Sequence, residues 1–151
     1  MTLRPTEGRL REYLLALSGF IAVGSVAELL LLLHFEEALQ WIPFILCVLA
    51  LAVVVAVWRR PGRRSIRALR TVMALVIAGS AWGVLLHLQG NLDFLRETKP
   101  NASAMDTVWG MVHGGSPVLA PGVLVVMALA GLAATYRHPA LEVERESQPA
   151  A

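Results

Sequence analysis

The chain is poor in most of what water-borne chemistry draws on. It has one cysteine, Cys47, so no intramolecular disulfide and no paired-thiol redox or zinc motif can form. Lysine occurs once, at Lys99, and charged residues make up 16 % of the 151. There is no Gly-x-Ser-x-Gly elbow, and Gly114-Gly115-Ser116 lacks the lysine of a phosphate-binding loop. No two histidines stand four apart, so no helical zinc pair is written in the sequence. These absences exclude a disulfide scaffold, a zinc-finger module and a soluble enzyme domain, and they make a non-enzyme the expected class.

What is abundant is apolar side chain, 56 % of the sequence at a mean hydropathy of +0.62. A helix crosses ~30 Å of hydrocarbon with about 20 apolar residues. Four segments reach that length, at about 13–34, 41–58, 66–89 and 117–137. The expected fold is therefore all-α: an integral-membrane bundle of four spans forming a single domain. A basic n-region and Ser25-Val26-Ala27 resemble a cleavable leader, but the apolar run continues through Leu29 to Leu33, so an uncleaved span is expected.

Basic residues set the orientation. Eleven of the thirteen fall in the N-terminal tail, in or just beyond the loop between spans two and three, or at and after the end of span four; only Arg96 and Lys99 fall elsewhere. Both termini are thus expected in the cytoplasm. Arg59, Arg60, Arg63 and Arg64 form an inner-surface cluster facing lipid headgroups, which gives no reason to expect nucleic acid. Tyr13, Trp58 and Tyr136 fall at the inner surface and Trp41 at the outer one, while Trp82 stands about two turns inside span three. Twelve arginines against one lysine suggest a high-GC bacterial genome and hence a bacterial plasma membrane.

The long outer segment carries its own signals. Gly90 reads as the residue ending span three. Ser103 and Asp106 stand three apart, as in a capping box. Met105, Val108, Trp109 and Val112 then fall on one helical face. The spacing predicts a short helix over 104–113 lying on the outer membrane surface, or else a re-entrant piece. Ser116-Pro117 reads as the start of span four, with Pro121 a second start, and residues 140–151 read as a disordered tail.

Small residues mark where helices approach closely. In span three these are Gly79 and Gly83, in line with His87; in span one Gly24 and Ala27, beside Glu28; in span four Ala130, Gly131, Ala134 and Thr135. Span two is bulky and is expected to see the most lipid. Glu28 is the sharpest chemical signal, because a carboxylate inside a span costs ~2.5–3.5 kcal/mol near the helix centre and usually faces a bundle interior. It reads either as a neutral acid hydrogen-bonded between helices or as a functional group. His34, His87 and His113 share the outer end with Glu37. Glu28 and His87 are expected to approach across spans one and three, with His113 as third member. Such a set could hold a metal ion, a haem through two histidines, or a small solute.

Three functions follow. The first expectation is a non-catalytic accessory or assembly subunit, with a membrane-protein partner or a second copy. The second is a bundle with a metal-, haem- or solute-binding site near its outer face. The third is an oligomeric transporter or channel, disfavoured because the inner halves of the spans carry almost nothing polar.

Overall fold

In the computed structural model, which describes residues 5–141, the chain is all-helical. Its elements are α1 (Pro5–Leu31), a single 3-10 turn (Ala38–Gln40), α2 (Trp41–Arg59), α3 (Arg63–Thr98), α4 (Ala104–His113) and α5 (Ala120–Ala134). Three stretches, Thr6–Leu31, Ala38–Arg59 and Arg63–Thr98, are long and apolar enough to cross a membrane, and α5 is a shorter apolar helix. A coat of large apolar side chains stays exposed around them, among them Phe20, Leu31, Val48, Trp58, Leu75 and Leu129. In water that coat would be strongly unfavourable; against lipid it is not.

α1 packs on α2 and α5, and α3 packs on the same two neighbours, so α1 and α3 face each other across the assembly. The core between them is fully closed at Cys47, Ala50, Ile66, Leu69, Met73, Val76, Met127 and Ala128. α3 supplies this core at alternating steps of three and four residues, from Ile66 through Leu69, Met73 and Val76 to Ser80, the spacing of one helical stripe. α5 buries Leu124, Met127, Ala128, Ala130, Gly131 and Ala134. Its small residues permit the close fit: a Cβ on Gly131 would stand 2.8 Å from Met73 Cε. Likewise a Cβ on Gly83 would stand 3.3 Å from Pro121, and the open face of Gly79 is filled by Leu46. The Gly79–Gly83–His87 line is thus a close-packed face, directed at α2 and the start of α5. Gly24, expected to be a similar contact, has open space beside it.

Several boundaries differ from the sequence expectation. α1 begins at Pro5, well before Tyr13, with Glu7 in its first turn. α3 does not stop at Gly90 but runs to Thr98. Leu88, Leu92 and Leu95 continue an apolar face through the glycine, and Asp93 and Arg96 pair at 3.8 Å on its solvated side. α5 starts at the second proline: residues 117–119 form a turn, with Ala120 N–H bonded to Pro117 O at 3.1 Å. α2, expected to be the barest helix, buries Phe44, Cys47, Ala50, Val54 and Val57. α1 is barer, with Leu15, Ser18 and Ala22 as its buried residues. The expected disordered tail lies outside the described residues from position 142 onward; residues 139–141 form a helical turn.

α4 occupies the residues expected, 104–113, and its capping box is formed: Asp106 N–H donates to Ser103 Oγ at 3.2 Å and Ser103 N–H donates to Asp106 Oδ2 at 3.3 Å. Ser103 Oγ–H, donating to Asp106 Oδ2 at 2.6 Å, and then the Ser103 N–H hold the Asp106 carboxyl below its ordinary value. The helix does not lie alone. It runs antiparallel along the extension of α3, with Gly110 against Leu95 and Gly114 against Asn91. The expected apolar face, Met105, Val108, Trp109 and Val112, points away from α3 and is exposed.

α1 ends in a strained turn. His34 N–H bonds to Leu29 O at 2.9 Å and Leu33 N–H to Leu30 O at 3.1 Å, a Schellman pattern with Leu33 at φ 52°. That left-handed position favours glycine, and a leucine there is strained by about 1–2 kcal/mol. Leu33→Gly should raise the stability of the detergent-solubilised chain by about 1 kcal/mol. A variant melting at or below the parent temperature would contradict this.

Candidate functional site

A cavity of about 600 Å³ opens at the end where α1 turns into α2. That volume is in the range of small-molecule sites. α1 contributes Ser25, Glu28 and Leu29, the turn His34 and Glu37, α2 Leu46, α3 Ser80, Trp82 and His87, and the α5 approach Ser116 and Pro117. Its wall is mostly apolar. Its polar groups belong to four separate elements and meet only in the fold.

The polar groups differ in their partners. His87 Nδ1 lies 2.9 Å from Pro117 O. A carbonyl only accepts, so Nδ1 carries a proton, and in the Nδ1–H tautomer Nε2 is left as an acceptor. Gln40 Oε1 accepts from Glu36 N–H at 2.8 Å and Glu37 N–H at 3.1 Å, which ties the turn that carries Glu37. Ser80 is 2 % exposed and its Oγ has no hydrogen-bond partner among the described residues. The Glu28 side chain is exposed to the cavity and, among the described residues, makes no hydrogen bond or ion pair. A locking bond from Glu28 to a neighbouring helix is therefore not what the fold builds.

The expected constellation is brought together in part. Glu28, His34, Glu37 and His87 line one cavity. Glu28 and His87 do so from facing helices, with no hydrogen bond or ion pair between them among the described residues. His113 is elsewhere: its ring stacks on Trp109 with centroids 3.8 Å apart and its Nδ1 lies 3.3 Å from Trp109 O. Among the described residues no three His, Cys, Asp or Glu side chains converge to hold a metal ion, so the expected Glu28–His87–His113 ligand set is not assembled.

Two residues that shape the site carried no functional signal in the sequence reading. Trp82, an aromatic that the sequence sets inside span three, lines the cavity. Asn91, 2 % exposed, donates from Nδ2 to Met111 O and to Ser116 O, both at 2.9 Å. Its Oδ1 accepts from Ser116 N–H at 2.8 Å. This one amide fastens the 111–116 segment, and through Ser116 and Pro117 one wall of the cavity. The α3 stripe of buried residues, carried on through Gly83 and His87, reaches Asn91, and that periodicity is the signal by which it could have been found. Compared with models of protein families, with characterised proteins and with solved structures, the chain matches none.

Proposed function

We propose that the chain is a four-span protein of a bacterial plasma membrane, with both termini in the cytoplasm, that binds a small solute in a pocket open to the outer face. The observation that carries this reading is the cavity of about 600 Å³, in which Glu28, His34, Glu37 and His87 meet over an apolar wall. An unpartnered carboxylate on an apolar helix is costly and is retained where something uses it. The fourth span is α5, whose 15 residues rise about 22 Å. The turns on either side and a locally thinner bilayer make up the remainder. Its exposed Val123, Val126 and Leu129 face lipid, and its other side is seated between α1 and α3. The distribution of arginines supports the orientation.

The test uses Glu28→Cys, an exposed position on the cavity wall, in a Cys47→Ala background, treated in intact cells with a small impermeant methanethiosulfonate. Labelling from outside is expected, blocked when Leu29→Trp fills the cavity, alongside free labelling of a Glu36→Cys control. Labelling of Cys at position 28 only after permeabilisation would overturn the orientation. Its absence in permeabilised cells too, with the unfolded chain reactive, would overturn the open pocket.

A second reading, an accessory subunit of a membrane complex, is favoured by one feature. On the α3–α4 hairpin Phe94, Met105, Val108, Trp109 and Val112 are 50–76 % exposed, and such patches mark contact surfaces. On that reading Val108→Ser and Trp109→Ser together leave the chain folded but shift its native-gel migration in solubilised membranes. Unchanged migration would count against it.

A further inference from the structure

We infer that the solute held in the pocket is an organic cation, an amine or quaternary ammonium on an apolar body; the inference rests on the reading of the cavity as a binding site. The first argument is charge. The cavity is lined by two carboxylates, Glu28 and Glu37, and by no lysine or arginine. The chain has thirteen such cations, and none is placed there. An anionic solute would meet like charge with no compensating partner. A cationic solute supplies the counter-charge that Glu28 lacks among the described residues, inside a low-dielectric wall where the attraction is less screened than in water.

The second argument is the polarity of the hydrogen-bonding groups. His87 spends its Nδ1 proton on Pro117 O, and in that tautomer Nε2 is an acceptor. With the two carboxylates it gives a donor its acceptors; the Ser25, Ser80 and Ser116 hydroxyls can donate or accept, and the Gln40 amide and Trp82 N–H are the donors on the wall. The third is Trp82, a 57 % exposed indole on the cavity wall. An indole face attracts a desolvated cation within about 6 Å of its centroid. Leu29, Leu46 and Leu124 give the apolar body its surface. Ser80 Oγ, buried without a partner, can serve a hydroxyl or ether oxygen at the inner end. A bare metal cation is not favoured, because no three ligating side chains converge among the described residues.

The experiment compares three probes of one shape on the full chain in nanodiscs, with empty nanodiscs subtracted. They are benzyltrimethylammonium, its uncharged carbon isostere neopentylbenzene, and benzylsulfonate. The cation is expected to bind at least tenfold more tightly than the isostere, and the sulfonate not at all. Glu28→Gln should lower the cation's affinity at least tenfold and leave that of the isostere unchanged. Leu29→Trp should weaken both. Glu28 is exposed, so its variant is expected to fold, and an unchanged melting temperature checks this. Equal binding of all three probes, still blocked by Leu29→Trp, would overturn the cationic class while leaving the pocket a binding site. Binding of no probe would overturn both.

Discussion

Asn91→Ala should destabilise the chain by about 3 kcal/mol, because it strands three backbone groups that have no other partner among the described residues. A buried donor or acceptor left unsatisfied costs ~1–3 kcal/mol, and partial entry of water lowers the sum. The groups are Met111 O, Ser116 O and Ser116 N–H, all bonded to the one amide at 2.8–2.9 Å. Asn91→Asp should be no better. It keeps an acceptor for Ser116 N–H but sets carboxylate oxygens against two carbonyls. Gly114→Ala should act on the same joint, since its Cβ would overlap the Asn91 side chain. Unfolding in mixed ionic and non-ionic micelles measures the loss. The effect should also reach the pocket, because Ser116 and Pro117 line it and Pro117 O holds His87. A fully stable Asn91→Ala would show that water replaces the amide.

The same residue shows what a sequence can and cannot carry. Helix content was legible because it rests on local patterns: four apolar runs, the Ser103–Asp106 box, the spacing of Met105, Val108, Trp109 and Val112. Boundaries failed where tertiary contacts outweigh local signals. Gly90 reads as a stop, since glycine is a poor helix former, by ~1 kcal/mol, yet Leu95 packs on Gly110 of α4 and Asn91 is bonded to Met111 and Ser116, and these contacts carry the helix through. Proline at 117 reads as a start, but the chain must first turn so that Ser116 reaches Asn91, and Pro121 takes the role. The candidate site was half legible. That Glu28, His34, Glu37 and His87 share one end follows from topology. Which of them face one another depends on the order of helices around the core, and no single helix records it. His113 was assigned to the site from its end of the molecule alone; its helix instead turns it onto Trp109.

Removing the two arginines that clasp the end of α5 is the other change expected to be large, at about 2–4 kcal/mol for Arg11→Ala and Arg70→Ala together. Arg70, from α3, donates to Thr135 O at 2.6 Å and to Thr135 Oγ1 at 3.1 Å. Arg11, from α1, donates to Ala134 O at 3.3 Å and to Arg137 O at 3.1 Å. The last carbonyls of a helix have no partners within it and carry the negative end of its dipole, so two guanidinium groups there satisfy both bonding and charge. Bonds to charged groups contribute ~1.5–3 kcal/mol each, discounted here because Arg70 is exposed. The clasp should also make stability depend on pH through His138. Its Nδ1 accepts Ala140 N–H at 3.2 Å, which starts the next helical turn and requires an unprotonated nitrogen. Burial, with Arg11 and Arg70 nearby, lowers its pKa below the ordinary 6.5. The unfolded chain therefore binds this proton more readily than the folded one. The stabilisation is complete above about pH 6.5 and is lost as the pH falls from there through the depressed folded value. His138→Asn keeps a capping oxygen and removes the titration, so its stability should be flat over that interval where the parent's declines. In the double arginine variant the decline should shrink, because two of the three causes of the shift are gone. An undiminished decline in the His138→Asn variant would place the titrating group elsewhere.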